Sequence, residues 1–273
     1  MTQAPSPSPA TPAEPAPPTA PTRRDRLRAA TTEEITATAR RLLVEQGPDA
    51  MSLRAIAREM GMTAPGLYRY YGSREELLRH VVASIFRELS GDLHRAIDEV
   101  VRSTAGAAVA RGDAAPEEVR RHLTLKMVAA CREFRRWGLS HKDEFTLLFG
   151  VPLPGLDDGG FDVAEECALE FAATFYTLFF ELWNATHFPV PGPAEVDEGL
   201  RAQLRRFGTT LGTDAPEGAL LVFLRCWTVL YGAVAMEIFG HLGFALDDPA
   251  PMFEFTLADL GRLVGLEYPP PGG

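Results

Sequence analysis

Ser52-Leu-Arg-Ala-Ile-Ala-Arg-Glu-Met-Gly-Met-Thr-Ala-Pro-Gly-Leu-Tyr-Arg-Tyr-Tyr-Gly-Ser-Arg-Glu-Glu-Leu-Leu78 is the stretch whose reading decides the fold of this chain. Ser52 can cap a helix of about two turns with Leu53, Ile56, Ala57 and Met60 on its buried face. Gly61 ends it, because glycine takes the left-handed backbone of a sharp turn at no steric cost. Thr63 can cap a second, very short helix with Pro65 in its first turn, where a missing N–H is no loss, and Leu67 as its inward anchor. Ile56, Ala57, Met62 and Leu67 can bury together and set the angle between the two helices. This is a helix-turn-helix layout, and it leaves the second helix free to enter a DNA major groove, which is wide enough for one helix.

Working outward, Ser73-x-x-Glu76 is a capping box that opens a longer helix with Leu77, Leu78, Val81, Val82, Ile85, Phe86 and Leu89 inward. Upstream, Thr31-x-x-Glu34 predicts the start of the first helix, with Ile35, Ala39, Leu42 and Leu43 on one face and Gly47 as its stop. No segment alternates apolar and polar with period two, and apolar residues recur at three and four spacings throughout, so the expectation is an all-α protein. With 273 residues, 46% of them hydrophobic, the chain can bury a core and fits two domains. Breakers at Gly112 to Pro116, Gly150 to Gly160, Pro189 to Pro193, Gly212 to Pro216 and Asp247 to Pro251 divide the remainder.

The net charge of -10 conceals a split. Residues 23 to 90 hold 12 Arg against 9 acidic residues, whereas residues 91 to 273 hold 15 basic and 27 acidic residues. Only the front of the chain can face a polyanion. Residues 1 to 22 are rich in Pro, Ala, Ser and Thr with no apolar core of a signal peptide, and are read as a disordered tail. Cys131, Cys167 and Cys226 form no C-x-x-C pair, which suggests neither a disulfide framework nor a thiolate metal site and fits a reducing cytoplasm. The six histidines show no H-x-x-x-H or H-E-x-x-H spacing, and there is no G-x-S-x-G elbow, phosphate loop or dinucleotide fingerprint. Neither a metal, a cofactor nor catalysis is expected.

Residues 31 to 80, including the Leu67-Tyr68 pair and the Ser73-Arg74-Glu75-Glu76-Leu77 helix start, resemble the DNA-binding domain of the TetR (tetracycline repressor) family. The resemblance implies that Thr63, Ala64, Pro65 and Gly66 form the tip that meets base edges, that Tyr68 and Tyr70 reach phosphates, and that Arg74 meets the DNA backbone. Arg54, in the first turn of the preceding helix, is the candidate for a bidentate contact to guanine. Tyr71 is read as a core aromatic. Ala64, Pro65 and Gly66 offer no side-chain hydrogen bond, so discrimination per half-site should be modest and rest on Arg54, the Thr63 hydroxyl, thymine methyls and DNA shape. Arg23, Arg24, Arg26 and Arg28 have two readings, an arm that enters a minor groove or a solvated charge run.

Beyond residue 90 the chain grows rich in aromatics, with 12 of its 25 Phe, Trp and Tyr between residues 131 and 190. The helix near 161 to 187 is apolar on two faces and must be covered from both sides. The resemblance implies a small-molecule site in this region and dimerisation through the last long helices. Phe134, Trp137, His141, Phe145, Phe175, Phe179 and Trp183 are the candidates to line a cavity for a largely apolar or aromatic ligand. Phe180, Phe223, Trp227, Leu230, Val234 and Ile238 are the candidates for the interface between subunits. Ala219 to Met236 reaches the length of a membrane span, but Arg225 in its middle argues against one. Trp227 to Gly240 also resembles a C-terminal subtype marked by Trp-x-x-x-His-Gly, with Tyr231 in place of the His.

The expected organisation is therefore a tail (1–22), a helix-turn-helix DNA-binding domain with its connecting helix (23–90) and a helical regulatory domain (91–268). The expected function is a cytoplasmic, homodimeric repressor that binds an inverted-repeat operator in double-stranded DNA and is released by a small-molecule effector. The alternatives are an activator, or a small-molecule-binding protein or enzyme whose helix-turn-helix is only structural.

Overall fold

The computed structural model describes residues 22–47, 51–103, 109–110, 112, 114–150 and 163–268. The expected tail, apart from Thr22, lies outside the described residues, as do Pro48, Asp49, the breaker run after Gly150 and Phe161. Ten α-helices follow in order among the described residues: α1 (Arg23–Gln46), α2 (Leu53–Glu59), α3 (Ala64–Leu67), α4 (Arg74–Val101), α5 (Pro116–Ser140), α6 (Lys142–Phe149), α7 (Val163–Thr186), α8 (Glu198–Leu211), α9 (Glu217–Ile238) and α10 (Ala250–Leu263). The architecture is all-α, with an N-terminal helix-turn-helix and a larger helical C-terminal domain.

Local chemistry explains most boundaries. Ser52 Oγ accepts from Ala55 N at 3.1 Å and Ser73 Oγ accepts from Glu76 N at 3.0 Å, so both expected caps form. At the second cap the Glu76 carboxylate turns to Gly72 N (2.7 Å) instead of closing the box on Ser73. The start of α1 differs from the sequence expectation. Thr22, not Thr31, is the N-cap, in a capping box with Asp25, and Thr31 lies inside the helix with its hydroxyl donating to Leu27 O at 3.0 Å. Both sites carry the Thr-x-x-acid pattern; the earlier one prevails because Arg23 to Ala30 form helix readily and nothing between them breaks it.

α4 organises the molecule. It packs against α1 near its start and against α5 and α7 along its length, burying Leu77, Leu78, Val81, Ile85, Leu89 and Leu93. α7 meets α4 and α5 on one side and α9 on the other, so its two apolar faces are both covered. α9 is long and apolar enough to cross a membrane, and buries Leu220, Val222, Phe223, Leu230 and Val234 in the protein's own core. At its start a Cβ on Gly218 would lie 2.2 Å from the Pro191 carbonyl oxygen and 3.1 Å from Val190. Gly218→Ala is accordingly expected to lower stability by about 2 kcal/mol, the scale of core overpacking, in a urea titration. An unchanged midpoint would show that the 189–193 connection yields freely.

Candidate nucleic-acid interface and effector cavity

Gly61, at φ 64°, turns the chain between α2 and α3, with Met62 N bonded to Ala57 O at 2.8 Å. Leu67 and Ile56 are fully buried beneath the turn and fix the crossing of the two helices. Thr63 Oγ1 accepts from Gly66 N at 3.2 Å, which caps α3 and leaves the hydroxyl proton free to donate outward. A Cβ on Gly66 would come within 3.1 Å of that oxygen, so glycine here protects the cap as well as the close approach of a partner. Arg54, Thr63, Pro65 and Tyr68 are exposed, while Ala64, Gly66, Tyr70 and Arg74 are half-buried. Arg54, Tyr68, Ser73 and Arg74 line one shallow groove. The two aromatic neighbours separate as expected, since Tyr68 is 50% exposed whereas Tyr71 is 2% exposed and its hydroxyl meets Thr36 at 3.0 Å.

In the C-terminal domain a narrow cavity lies between α5, α7, α9 and α10. Met127, Val128 and Cys131 line it from α5, Phe175, Phe179 and Leu182 from α7, Phe223, Cys226, Trp227 and Leu230 from α9, and Leu257, Leu260 and Val264 from the region of α10. Leu266 and Tyr268 close one end. The free space is about 70 Å³, room for several water-sized occupants at about 10–15 Å³ each. A bulkier ligand must displace side chains.

Residues 35–81 match the family model described as bacterial regulatory proteins, tetR family, and residues 127–260 match the one described as tetracyclin repressor-like, C-terminal domain. The chain belongs to the TetR family. It is a DNA-binding transcriptional regulator, in keeping with its relatives. HTH-type transcriptional regulators of Mycobacterium bovis and Mycobacterium tuberculosis are each 27% identical to it over 232 residues, covering 81% of this chain and 86% of theirs. The crystal structure of the regulatory protein SCO4313 superimposes with a TM-score of 0.62 at 28% identity, covering 88% of this chain and 98% of that one.

Within this TetR-family fold the seven expected cavity residues do not stay together. Phe175 and Phe179 line the cavity. Phe134, Trp137 and Phe145 are fully buried in a solid aromatic core, where Phe134 meets Phe145, Phe149, Phe171, Phe175 and Trp227 at 5.7–5.9 Å between ring centres. Trp183 packs on Phe188 (5.0 Å), away from the cavity, and His141 stacks on Trp137 (4.9 Å). The expected subunit-interface stripe requires correction, since Phe180, Phe223, Leu230, Val234 and Ile238 are buried within the protomer and Trp227 is half-buried; Phe223, Trp227 and Leu230 line the cavity. α9 is apolar on both faces, so periodicity alone does not say which face turns inward. Its outward face carries Arg225, Thr228, Val229 and Met236.

The expected Arg74 contact is shared, because Nε already donates to Met51 O at 2.9 Å and ties α4 to the start of α2. Tyr231, standing where the subtype has its His, donates its hydroxyl to Phe149 O at 2.7 Å and holds the end of α6 against α9.

A site invisible in the sequence joins the two parts of the molecule. Arg40 of α1 reaches Glu88 of α4 at 2.5 and 3.3 Å and Glu144 of α6 at 3.0 and 3.2 Å. Burial alone would lower the Arg40 pKa, but the two carboxylates outweigh it and hold the guanidinium above its ordinary range. The Arg40 hydrogen bond, against the opposing effect of burial, keeps the Glu88 carboxyl below its ordinary range. These residues lie 48 and 104 positions apart, so no local pattern marks them.

The cavity thiols are chemically quiet. Burial pushes Cys131 up to about 12 and Cys226 up to about 11, far above a free thiol. In native protein at neutral pH both should label slowly with iodoacetamide, with a rate rising about tenfold per pH unit as thiolate forms. Rapid labelling at neutral pH would show instead that the cavity opens readily.

Proposed function

We propose that this TetR-family regulator is a homodimeric repressor, released from an inverted-repeat operator when a small apolar molecule enters the cavity. The observation that carries the proposal is the presence in one chain of an exposed, capped reading helix and a largely apolar cavity, linked by α4 and by the Arg40–Glu88–Glu144 contact. Arg54, Thr63 and Tyr68 supply groups for bases and phosphates, with Ala64, Pro65 and Gly66 fitting closely against the groove and Tyr70 and Arg74 beside them.

Dimerisation uses the outward apolar face of α9 and α10, where Val229, Met236, Met252 and Phe255 are each more than two-fifths exposed and no side chain on Gly232 would meet an obstacle. Twofold symmetry then presents two copies of α3 to successive major grooves. The ligand reaches the DNA-binding end through packed rings, since Phe175 and Trp227 touch both the cavity and Phe134, Phe134 touches Phe145, and Phe145 neighbours Glu144 on α6. A tilt of α4, divided between residues 23–90 and 91–268, is the two-state element. The protein works in the cytoplasm, as a regulator without cofactor or catalysis, and not in a membrane.

Fluorescence anisotropy of promoter-proximal DNA across a salt series tests this reading, with a random duplex of equal length as reference. The expected result is selective binding by two protomers, a steep salt dependence, and release by an apolar compound that also protects Cys226 from labelling. Selective binding that no cavity ligand alters would overturn the release mechanism, and binding no better than to the random duplex would overturn operator recognition.

A further inference from the structure

We infer that the first turns of α1 form a second DNA contact, a rigid helical spur that grips backbone phosphates outside the groove entered by α3. The inference rests on the DNA-binding reading and identifies further residues that touch DNA. Every residue from Thr22 to Ala30 is exposed, so this end of α1 stands clear of the body by about 12 Å at 1.5 Å per residue. It is helical from its first residue because Thr22 and Asp25 close a capping box, Asp25 accepting from Thr22 N at 3.0 Å and Thr22 accepting from Asp25 N at 3.2 Å.

Charge along the molecule is distributed unevenly. Most arginines beyond residue 90 are matched to carboxylates, as Arg135 is to Glu237 and Arg205 to Glu198 and Glu217, with Arg121, Arg206 and Arg225 as exceptions. Arg23, Arg24 and Arg26 have no ion-pair partner among the described residues. Asp25, the one acid among them, is engaged by Thr22. Cations left unmatched on a projecting helix suit an external polyanion.

Orientation comes from Arg28. Its guanidinium lies over the Tyr70 ring at 5.7 Å and donates to Arg69 O at 3.5 Å, binding one face of α1 to the chain that follows α3. Arg24, four residues earlier, lies on that same face and projects past Tyr70, while Arg23 and Arg26 lie on its other sides. A helix with its side chains is about 10–12 Å across, too wide for a minor groove of about 6 Å. The helical geometry therefore selects phosphate contact over the minor-groove arm that the sequence left open, and such contacts carry no base information.

The test is the full chain with Arg23→Gln, Arg24→Gln and Arg26→Gln together, titrated against two probes across a salt series. One probe is a duplex selected by the wild-type protein from a random library, and the other is a mixed-sequence duplex. The slope of log affinity against log salt should fall by about 2–3, at about 0.9 per phosphate contact. Affinity for both probes should fall by the same factor, with Arg24→Gln alone accounting for the largest single share. Thermal unfolding should be unchanged, since the three side chains are exposed. An unchanged slope would reduce the spur to a solvated charge run. Loss confined to the selected duplex, with altered preference in its A·T-rich flanks, would mean that the segment unwinds into the minor groove. Absence of wild-type binding to either probe would instead remove the DNA-binding reading itself.

Discussion

Arg54→Ala is expected to abolish operator recognition while leaving the fold intact. Arg54 stands exposed in the first turn of α2, with no ion-pair partner among the described residues, so its truncation costs the folded state little. At the DNA its guanidinium is the one group of the reading unit suited to a bidentate bond with guanine. Such a bond discriminates by about 1–3 kcal/mol, and a symmetric dimer makes it twice, so operator affinity should fall by about thirty-fold to about ten-thousand-fold. Arg54→Lys separates the contributions, because lysine keeps the charge and loses the fork. The lysine variant should retain affinity for random DNA and still lose preference for the operator, measured by competition anisotropy. If Arg54→Ala bound the operator as well as wild type, specificity would rest on Thr63, methyl contacts and DNA shape.

Arg40→Met should have the largest effect on the junction between the two parts of the chain. Removing the guanidinium leaves Glu88 and Glu144 near each other with no countercharge. Breaking a fully buried pair costs about 3–5 kcal/mol. Here the three side chains are 21%, 37% and 12% exposed, and solvent reduces the expected loss to about 1–2 kcal/mol. The pH dependence has a definite sign. In wild type the Glu88 pKa is depressed, so its stabilisation is present above the unfolded carboxylate pKa and is lost as pH falls through the folded value. In the variant, protonating either carboxylate relieves repulsion. The gap in stability between the two proteins should therefore narrow as pH falls from neutrality toward about 4. Urea titrations at both ends of that range measure it, and Glu144→Gln added to Arg40→Met should recover much of the loss. A gap independent of pH would mean that Arg40 acts through packing of its stem. With α6 released from α1, effector binding should also lose its influence on operator affinity, a coupling normally worth about 5- to 150-fold.

The DNA-reading end was largely legible because its determinants are local. Ser52, Gly61, Thr63 and Ser73 act on backbone groups within four residues of themselves, and Leu53, Ile56 and Leu67 occupy positions whose burial follows from helical spacing. The same locality explains the misplaced start of α1, where two Thr-x-x-acid patterns competed and only the unbroken helix between them decided. The C-terminal domain was legible as helices rich in rings, and no further. Its cavity draws on four helices, including Leu257, Leu260 and Val264, which no spacing singled out, while Phe134 and Trp137 proved to be solid core.

By itself the sequence determined the all-α class, the helix-turn-helix with its caps, and the side of the molecule that tolerates DNA, since each depends on neighbours along the chain or on charge summed over a segment. Tertiary structure alone decided which face of α9 turns inward, where space remains between α5, α7, α9 and α10, and that Arg40 meets Glu88 and Glu144. The physical reason is that a helix apolar all round satisfies its periodicity in any rotation, and an ion pair across 104 positions leaves no trace in local order.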